Sequence, residues 1–305
     1  MSNLKIRNVL SLFDGISCGQ LALNRAGINY ENYYASEIEK HAIQITISKF
    51  PNTIQLGDVS KININNLPSI DLLIGGSPCT NLSFKGKKEG MVTTDNIEVT
   101  SLEQYLDFKD RGYQFVGQSY LFWEYVRILK SLKPRYFLLE NVVMSKKNQK
   151  LFTNILGVEP IKINSALVSG QRRNRLYWTN INNGNISQPE DRKIMFYDII
   201  DKEAPYREIY PYMYKNYGNK QRLSMSIICT DQKSACLTTS PHDPFLFVLN
   251  EERSLLRQLT ISEYEILQTL PLNYTEGIPK TKRYRAIGNG WTIDVIAHIF
   301  SYLKN

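Results

Sequence analysis

Histidine and cysteine are scarce, at three and four in 305 residues. Cys18, Cys79, Cys229 and Cys236 include no C-x-x-C pair, so no metal site is expected. So few cysteines in so long a chain do not make a disulfide framework, and a reducing, cytoplasmic setting is the expectation. No apolar run reaches the roughly 18 residues that a membrane span needs. The short apolar stretch at the start runs into Asp14-Gly15 and does not read as a signal peptide. Internal repeats and low-complexity stretches are missing too. Negative charge is in deficit: 29 Asp+Glu against 37 Lys+Arg leave a net charge of +8. That surplus suits an acidic partner such as nucleic acid, although basic chains without that role are common. With 42% hydrophobic and 22% charged residues the chain has the composition of a folded protein, not a disordered one.

What is present, in the first half, is alternation. Residues 8–13, 32–35, 53–56, 71–74 and 135–139 read as strands. Residues 18–26, 38–50 and 120–132 and the region of Leu151 read as helices, with Gly27 ending the first. The fold expected is α/β: a Rossmann-like, mainly parallel sheet with helices on both faces. Two stretches break the pattern. Residues 85–118 show no clear period and read as a long, functional or mobile loop. Residues 180–255, rich in Tyr, Asn and Pro, read as the core of a smaller, irregular domain. An apolar helix over 292–303 packs back on the sheet.

Several motifs fall at the carboxyl ends of the strands, where ligands of open α/β sheets bind. Phe13-Asp14-Gly15-Ile16-Ser17 is a strand-to-helix turn, but not G-x-G-x-x-G. Glu37 after the second strand suits ribose hydroxyls, and Asp58 after the third suits an adenine amino group. Those three features fit a nucleoside cofactor without a pyrophosphate, or equally a plain turn with two surface acids. Ser77-Pro78-Cys79 follows the fourth strand. Cys79 is there either a nucleophile or a small buried apolar residue. Glu140-Asn141-Val142 follows the fifth, where a partly buried carboxyl suits a proton donor. In Gln171-Arg172-Arg173-Asn174-Arg175, residues 171, 173 and 175 share one face if the segment is a strand. That face either lines a polar site, with Arg175 pairing Glu140, or is a solvated edge.

Taken in order, these residues resemble the cytosine-C5 DNA methyltransferases. Phe13-Asp14-Gly15, Pro78-Cys79, Glu140-Asn141-Val142 and Gln171-x-Arg173-x-Arg175 are similar to that family's motifs. So are Arg257-Gln258-Leu259-Thr260, with Glu263, Gln268 and Pro271, and Gly288-Asn289-Gly290-Trp291. Six in sequence are far more specific than any one. The motif style is most similar to the branch containing the animal de novo enzymes. No chromatin-reading domain accompanies it, so a bacterial or phage setting is expected.

The resemblance implies S-adenosylmethionine as cofactor, held by Phe13, Asp14, Gly15, Ile16, Ser17, Glu37, Ile38, Asp58, Val59, Pro78, Asn289, Gly290 and Trp291. It implies catalysis by Cys79, Glu140, Asn141, Arg173 and Arg175. Cys79 adds to C6 of an extruded cytosine, Glu140 protonates N3, Asn141 helps hold the base, and Arg175 orients Glu140. Gln171 supports the base site, and Lys85, Lys87 and Lys88, in a loop expected to close as a lid, meet phosphate. The same lysines also read as a solvated loop. The expected division is a catalytic domain over 1–182 and 277–305 and a target-recognition domain over 183–276. The partner implied is double-stranded DNA, bound by a monomer, with a separate cognate restriction endonuclease as a candidate companion. Thr80, where the family usually has Gln or Asn, departs from the pattern, as does the length of the loop after Cys79. The rival readings are a tRNA cytosine methyltransferase, a non-catalytic DNA-binding relative and a dinucleotide oxidoreductase. The first usually carries a Cys-Phe-Thr signature, which this chain lacks.

Overall fold

The computed structural model describes residues 5–78, 91–205, 207–208, 214–217, 220–223, 227–228, 232–239, 247–249 and 255–304. Its centre is a seven-stranded sheet of β1 (Asn8–Leu12), β2 (Asn32–Ser36), β3 (Ile54–Gln55), β4 (Leu72–Gly76), β5 (Tyr136–Val142), β6 (Ile161–Asn164) and β7 (Asn174–Thr179). The order is β3-β2-β1-β4-β5-β7-β6. Strands β1 to β5 pair in parallel, while β7 runs antiparallel to both β5 and β6. The strand order reverses between β1 and β4. The loops leaving those two strands therefore open a crevice at their carboxyl ends.

The central strands are buried on both faces, as interior parallel strands must be. Alternate residues serve two cores. Val9, Leu72, Ile74, Leu138 and Tyr177 join one cluster; Leu10, Leu12, Leu73, Phe137, Leu139, Leu176 and Trp178 join the other. Helices α1 (Cys18–Ala26), α2 (Lys40–Lys49) and a late apolar helix (Ile293–Ser301) cover the first face. The first of these stops where expected: Gly27 adopts φ 67° and its N–H donates to Asn24 O at 3.0 Å. The second face is covered by α3 (Leu102–Asp110), α4 (Phe122–Leu132) and α5 (Lys146–Leu156).

The helix α3 corrects the reading of 85–118 as one long loop. Leu102, Tyr105 and Phe108 recur at helical spacing and are buried, and the Ser101 hydroxyl accepts from Gln104 N–H at 3.1 Å. Beneath them Glu124, fully buried, accepts from Tyr105 Oη (2.6 Å), Lys109 Nζ (2.6 Å) and Arg127 Nε (2.7 Å). Residues 91–118 are thus docked onto the core, and residues 85–90 of the expected lid lie outside the described residues.

Burial crosses the expected domain boundaries. Leu259, Tyr264, Leu267, Leu270 and Tyr274, assigned to the recognition segment from sequence, are buried in the same cluster as β1 and α1, as are Ile186 and Phe196. This block includes α6 (Ile261–Leu267) and leads to α7 (Lys280–Asn289); the late apolar helix is α8. Outside it, β8 (Arg207–Glu208), β11 (Ile227–Ile228), β12 (Phe247–Leu249) and β13 (Leu255–Gln258) form a small sheet. A hairpin pairs β9 (Tyr214–Tyr217) with β10 (Lys220–Leu223). Among the described residues no helix is long and apolar enough to cross a membrane.

Candidate active site

The sheet register brings three motifs to one edge. Glu140 of β5 lies opposite Gly76 of β4 and Tyr177 of β7, and Val142 lies opposite Arg175. Arg175 Nε meets Glu140 Oε1 at 2.9 Å, and Trp291 Nε1 donates to Glu140 Oε2 at 3.2 Å. Glu140 is buried, at 8% exposure, with both oxygens engaged. Gly76 makes this possible. A Cβ there would lie 3.0 Å from both Glu140 Oε2 and Trp291 Nε1, where any side chain would force the pair apart.

Asn141, expected to help hold the base, is bonded to the chain ahead of Pro78-Cys79. It is 2% exposed, and its Nδ2 donates to Ser77 O (3.2 Å) and Ser77 Oγ (3.0 Å), while its Oδ1 accepts from Val142 N–H. Both bonds of its amide nitrogen are thus made to Ser77. It fixes the chain two residues ahead of Cys79. Pro78 follows, partly exposed; Cys79, Lys85, Lys87 and Lys88 lie outside the described residues.

The Gln-x-Arg-x-Arg segment is not a strand throughout. Only Arg175 lies in β7; Gln171 bridges to Ser234. Gln171, fully buried, donates from Nε2 to Leu267 O and Gln268 Oε1 and accepts from Leu237 N–H. It braces the elements around Leu267, Gln268 and Leu237. Arg173, at 4% exposure, donates to Gly288 O (3.3 Å), Gly290 O (2.9 Å) and Leu237 O (3.4 Å). It ties the Gly288–Trp291 motif to the sheet. Gly288 packs so closely on the Thr238 carbonyl that a Cβ would collide with it.

The loop after β1 is wound tightly: Phe13, Gly15 and Ser17 all take φ 58–59°. For Phe13 and Ser17 that left-handed conformation costs energy, and such strain concentrates at ligand sites. Glu37 fastens the loop by accepting from the N–H of Gly15 (2.8 Å), Ile38 (2.8 Å) and Glu39 (2.9 Å). Asp14 is buried; its Oδ1 accepts from Tyr33 Oη at 2.8 Å, while its Oδ2 has no partner among the described residues. Burial pushes its carboxyl up to about 6, against the hydroxyls of Ser11, Tyr33 and Ser17, which favour the charged form. Ile16 and Val59 send their side chains into the two cores, which leaves only their backbone to a ligand. Asp58 accepts from Ser60 N–H and Oγ through Oδ1. Ile38 is 67% exposed and Asn289 is exposed.

Residues 7–193 and 159–305 match the sequence model of the C-5 cytosine-specific DNA methylases. The chain belongs to that family. It is 37% identical over 144 residues, 47% of its length, to the orphan methyltransferase M.Rho11sI of Bacillus phage rho11s, of which the match covers 24%. It is 34% identical over 155 residues to the orphan methyltransferase M.SPBetaI of Bacillus phage SPbeta, covering 47% of this chain and 34% of that one. The match thus spans a quarter to a third of the length of these curated relatives. The solved structure of the methyltransferase EhMeth of Entamoeba histolytica superposes with a TM-score of 0.68 at 19% identity, covering 98% of each chain. That of the S. pombe Dnmt2 methyltransferase gives 0.70 at 18%, covering 97% of this chain and 98% of that one. These likenesses show the α/β fold of such methyltransferases.

Within this methylase, sequence reasoning missed Cys236. Its Sγ accepts from Arg173 Nη1 at 3.3 Å and lies 3.9 Å from Arg175 Nη2. No spacing signal pointed to it, because it lies more than 60 residues from either arginine.

Proposed function

We propose that this chain transfers a methyl group from S-adenosylmethionine to C5 of a cytosine rotated out of double-stranded DNA. The observation that carries this is the buried Glu140, gripped by Arg175 and Trp291 beside the Asn141-anchored chain that leads into Pro78-Cys79. A stacked base cannot reach such a recessed carboxyl; rotating it out costs roughly a few kcal/mol.

The residues suit the cofactor. The buried, unpartnered Asp14 Oδ2 is an acceptor waiting for a cation, which the methionine ammonium would be. The wound loop 13–17 would surround the methionine, Glu37 would take the ribose, and Ile38, Asp58, Val59 and Pro78 would border the adenine. Asn289, Gly290 and Trp291 would close the pocket. When bound, S-adenosylmethionine supplies an electrophilic methyl group on a sulfonium. The thiolate of Cys79 adds to C6, and Glu140 delivers its proton to N3, so that C5 becomes enamine-like and nucleophilic. Arg175 holds Glu140 in line. Once C5 is methylated, loss of its proton to water expels the Cys79 thiolate and the N3 proton returns to Glu140. The catalytic domain would comprise roughly 5–204 and 259–304, and the intervening residues would read sequence, with Lys85, Lys87 and Lys88 meeting phosphate.

The test is transfer of labelled methyl groups to duplex DNA and, separately, to tRNA. Incorporation as 5-methylcytosine in the duplex, mapped by bisulfite sequencing, is expected. Incorporation into tRNA alone assigns the rival substrate, and none into either overturns the reading.

Asp14 sets a pH dependence. A carboxyl held up at about 6 is charged above that pH and neutral below it. If the charged form binds the ammonium, cofactor affinity falls about tenfold per pH unit below this value. Calorimetric titration should show that slope in the native protein and none in Asp14→Asn. An identical slope in both rules out the assignment.

A further inference from the structure

Arg173 is a buried cation with no carboxylate in ion-pair contact among the described residues. A charge held in this way is costly unless something answers it. The group that meets it is Cys236. The sulfur accepts from Arg173 Nη1 at 3.3 Å and lies 3.9 Å from Arg175 Nη2, while Arg175 Nε pairs with Glu140 at 2.9 Å. One sulfur therefore faces two guanidiniums, one of them the partner of the catalytic carboxyl.

The sulfur is held in place by its own segment, residues 232–239. Ser234 N–H donates to Gly170 O (2.6 Å), Arg172 N–H to Ser234 O (2.8 Å) and Leu237 N–H to Gln171 Oε1 (3.3 Å). Lys233 Nζ caps the carbonyls of Ala166, Ser169 (3.1 Å) and Ile194 (2.8 Å). On the other side Thr238 packs against Gly288. This strap comes from the part of the chain assigned to reading DNA, yet it ends against the arginines of the reaction centre.

We infer that Cys236 is a positioning residue, whose sulfur answers the charge of Arg173 and aligns Arg175 on Glu140, linking the recognition segment to the reaction centre. The inference rests on the proposed roles of Glu140 and Arg175. Burial raises the thiol, but Arg173 and Arg175 outweigh it, and the net shift is downward. Tyr177 on the same strand as Arg175, Glu140 on the neighbouring strand and Cys18 at the start of α1 are also titratable groups close to this arginine pair.

The test compares full-length Cys236→Ala, Cys236→Ser and Glu140→Gln with the native protein on the same duplex. In Cys236→Ala, kcat should fall about tenfold, a barrier rise of about 1.4 kcal/mol. KM for the duplex and for the cofactor should stay within about twofold, and the melting temperature should fall only modestly, because Arg173 keeps the carbonyls of Leu237, Gly288 and Gly290. Cys236→Ser keeps an acceptor and should recover most of the loss. A Cys236→Ala kcat within twofold of native overturns the inference. So does a kcat loss that only follows a lower melting temperature and that Ser fails to rescue. Glu140→Gln separates the two claims: if it remains fully active, the reading of the site fails, whatever Cys236 does.

Discussion

Replacing Cys79 by Ser should all but abolish methyl transfer, by at least about three orders of magnitude, or about 4 kcal/mol of barrier. C5 of cytosine is too poor a nucleophile to take a methyl group until something adds at C6. A thiol supplies an anion near neutral pH; a hydroxyl does not. The surroundings are arranged for that addition. Asn141 commits both of its polar ends to the backbone around it, so Ser77 and Pro78 enter the site on a fixed course. Glu140 stands across Gly76, and in the proposed mechanism it protonates N3. The serine variant should still bind DNA and cofactor, because neither depends on the sulfur. A duplex carrying 5-fluorocytosine gives the complementary measurement. Fluorine at C5 cannot leave as a proton, so the native protein should accumulate a covalent adduct. Peptide mass mapping should place the adduct at Cys79. Transfer by Cys79→Ser at the native rate, or an adduct on Cys236 instead, would show that the nucleophile has been misassigned.

Arg257→Ala should cost about 3–5 kcal/mol of stability, because it strands a buried charge. Arg257 is 4% exposed and Glu263 is fully buried; they meet through bonds of 2.8 and 2.6 Å. Arg257 also donates to Asp201 O, and Glu263 accepts from Thr260 and Asp201 N–H. The pair joins the last strand of the small sheet to the capped start of α6. Removing only the arginine leaves the carboxylate with backbone donors but no cation. The denaturant midpoint should drop sharply. Replacing both partners, Arg257→Met with Glu263→Leu, should recover much of the loss, since an apolar pair of similar volume removes the buried charge altogether. A single variant within about 1 kcal/mol of native would mean that water reaches Glu263.

Legibility differs from motif to motif. Hydrophobic runs and glycine stops located β1, α1 and the parallel sheet, because those signals are local. The alternation at 171–175 gave the direction of three side chains correctly, in that all three turn inward. It did not show that Gln171 and Arg173 precede the strand and bond to a strap some 60 residues further on. The helix at 102–110 was readable in its i, i+3, i+6 apolar spacing, but the charges around it hid the pattern. Those charges are satisfied internally at Glu124. Residues 259–276 look irregular in sequence, and only their burial places side chains such as Leu259 and Tyr264 in the core.

From its residues alone the chain declares a family and the order of its motifs, because spacing along a backbone survives in the sequence. What folding decides is which polar groups consume one another. Asn141 spends its amide on Ser77, Gln171 on Leu267 and Gln268, and Arg173 on Gly288, Gly290 and Cys236. Glu140 keeps its place by contacts with two residues far along the chain. A buried donor must find an acceptor, and which one it finds depends on distances in space, which the sequence does not record.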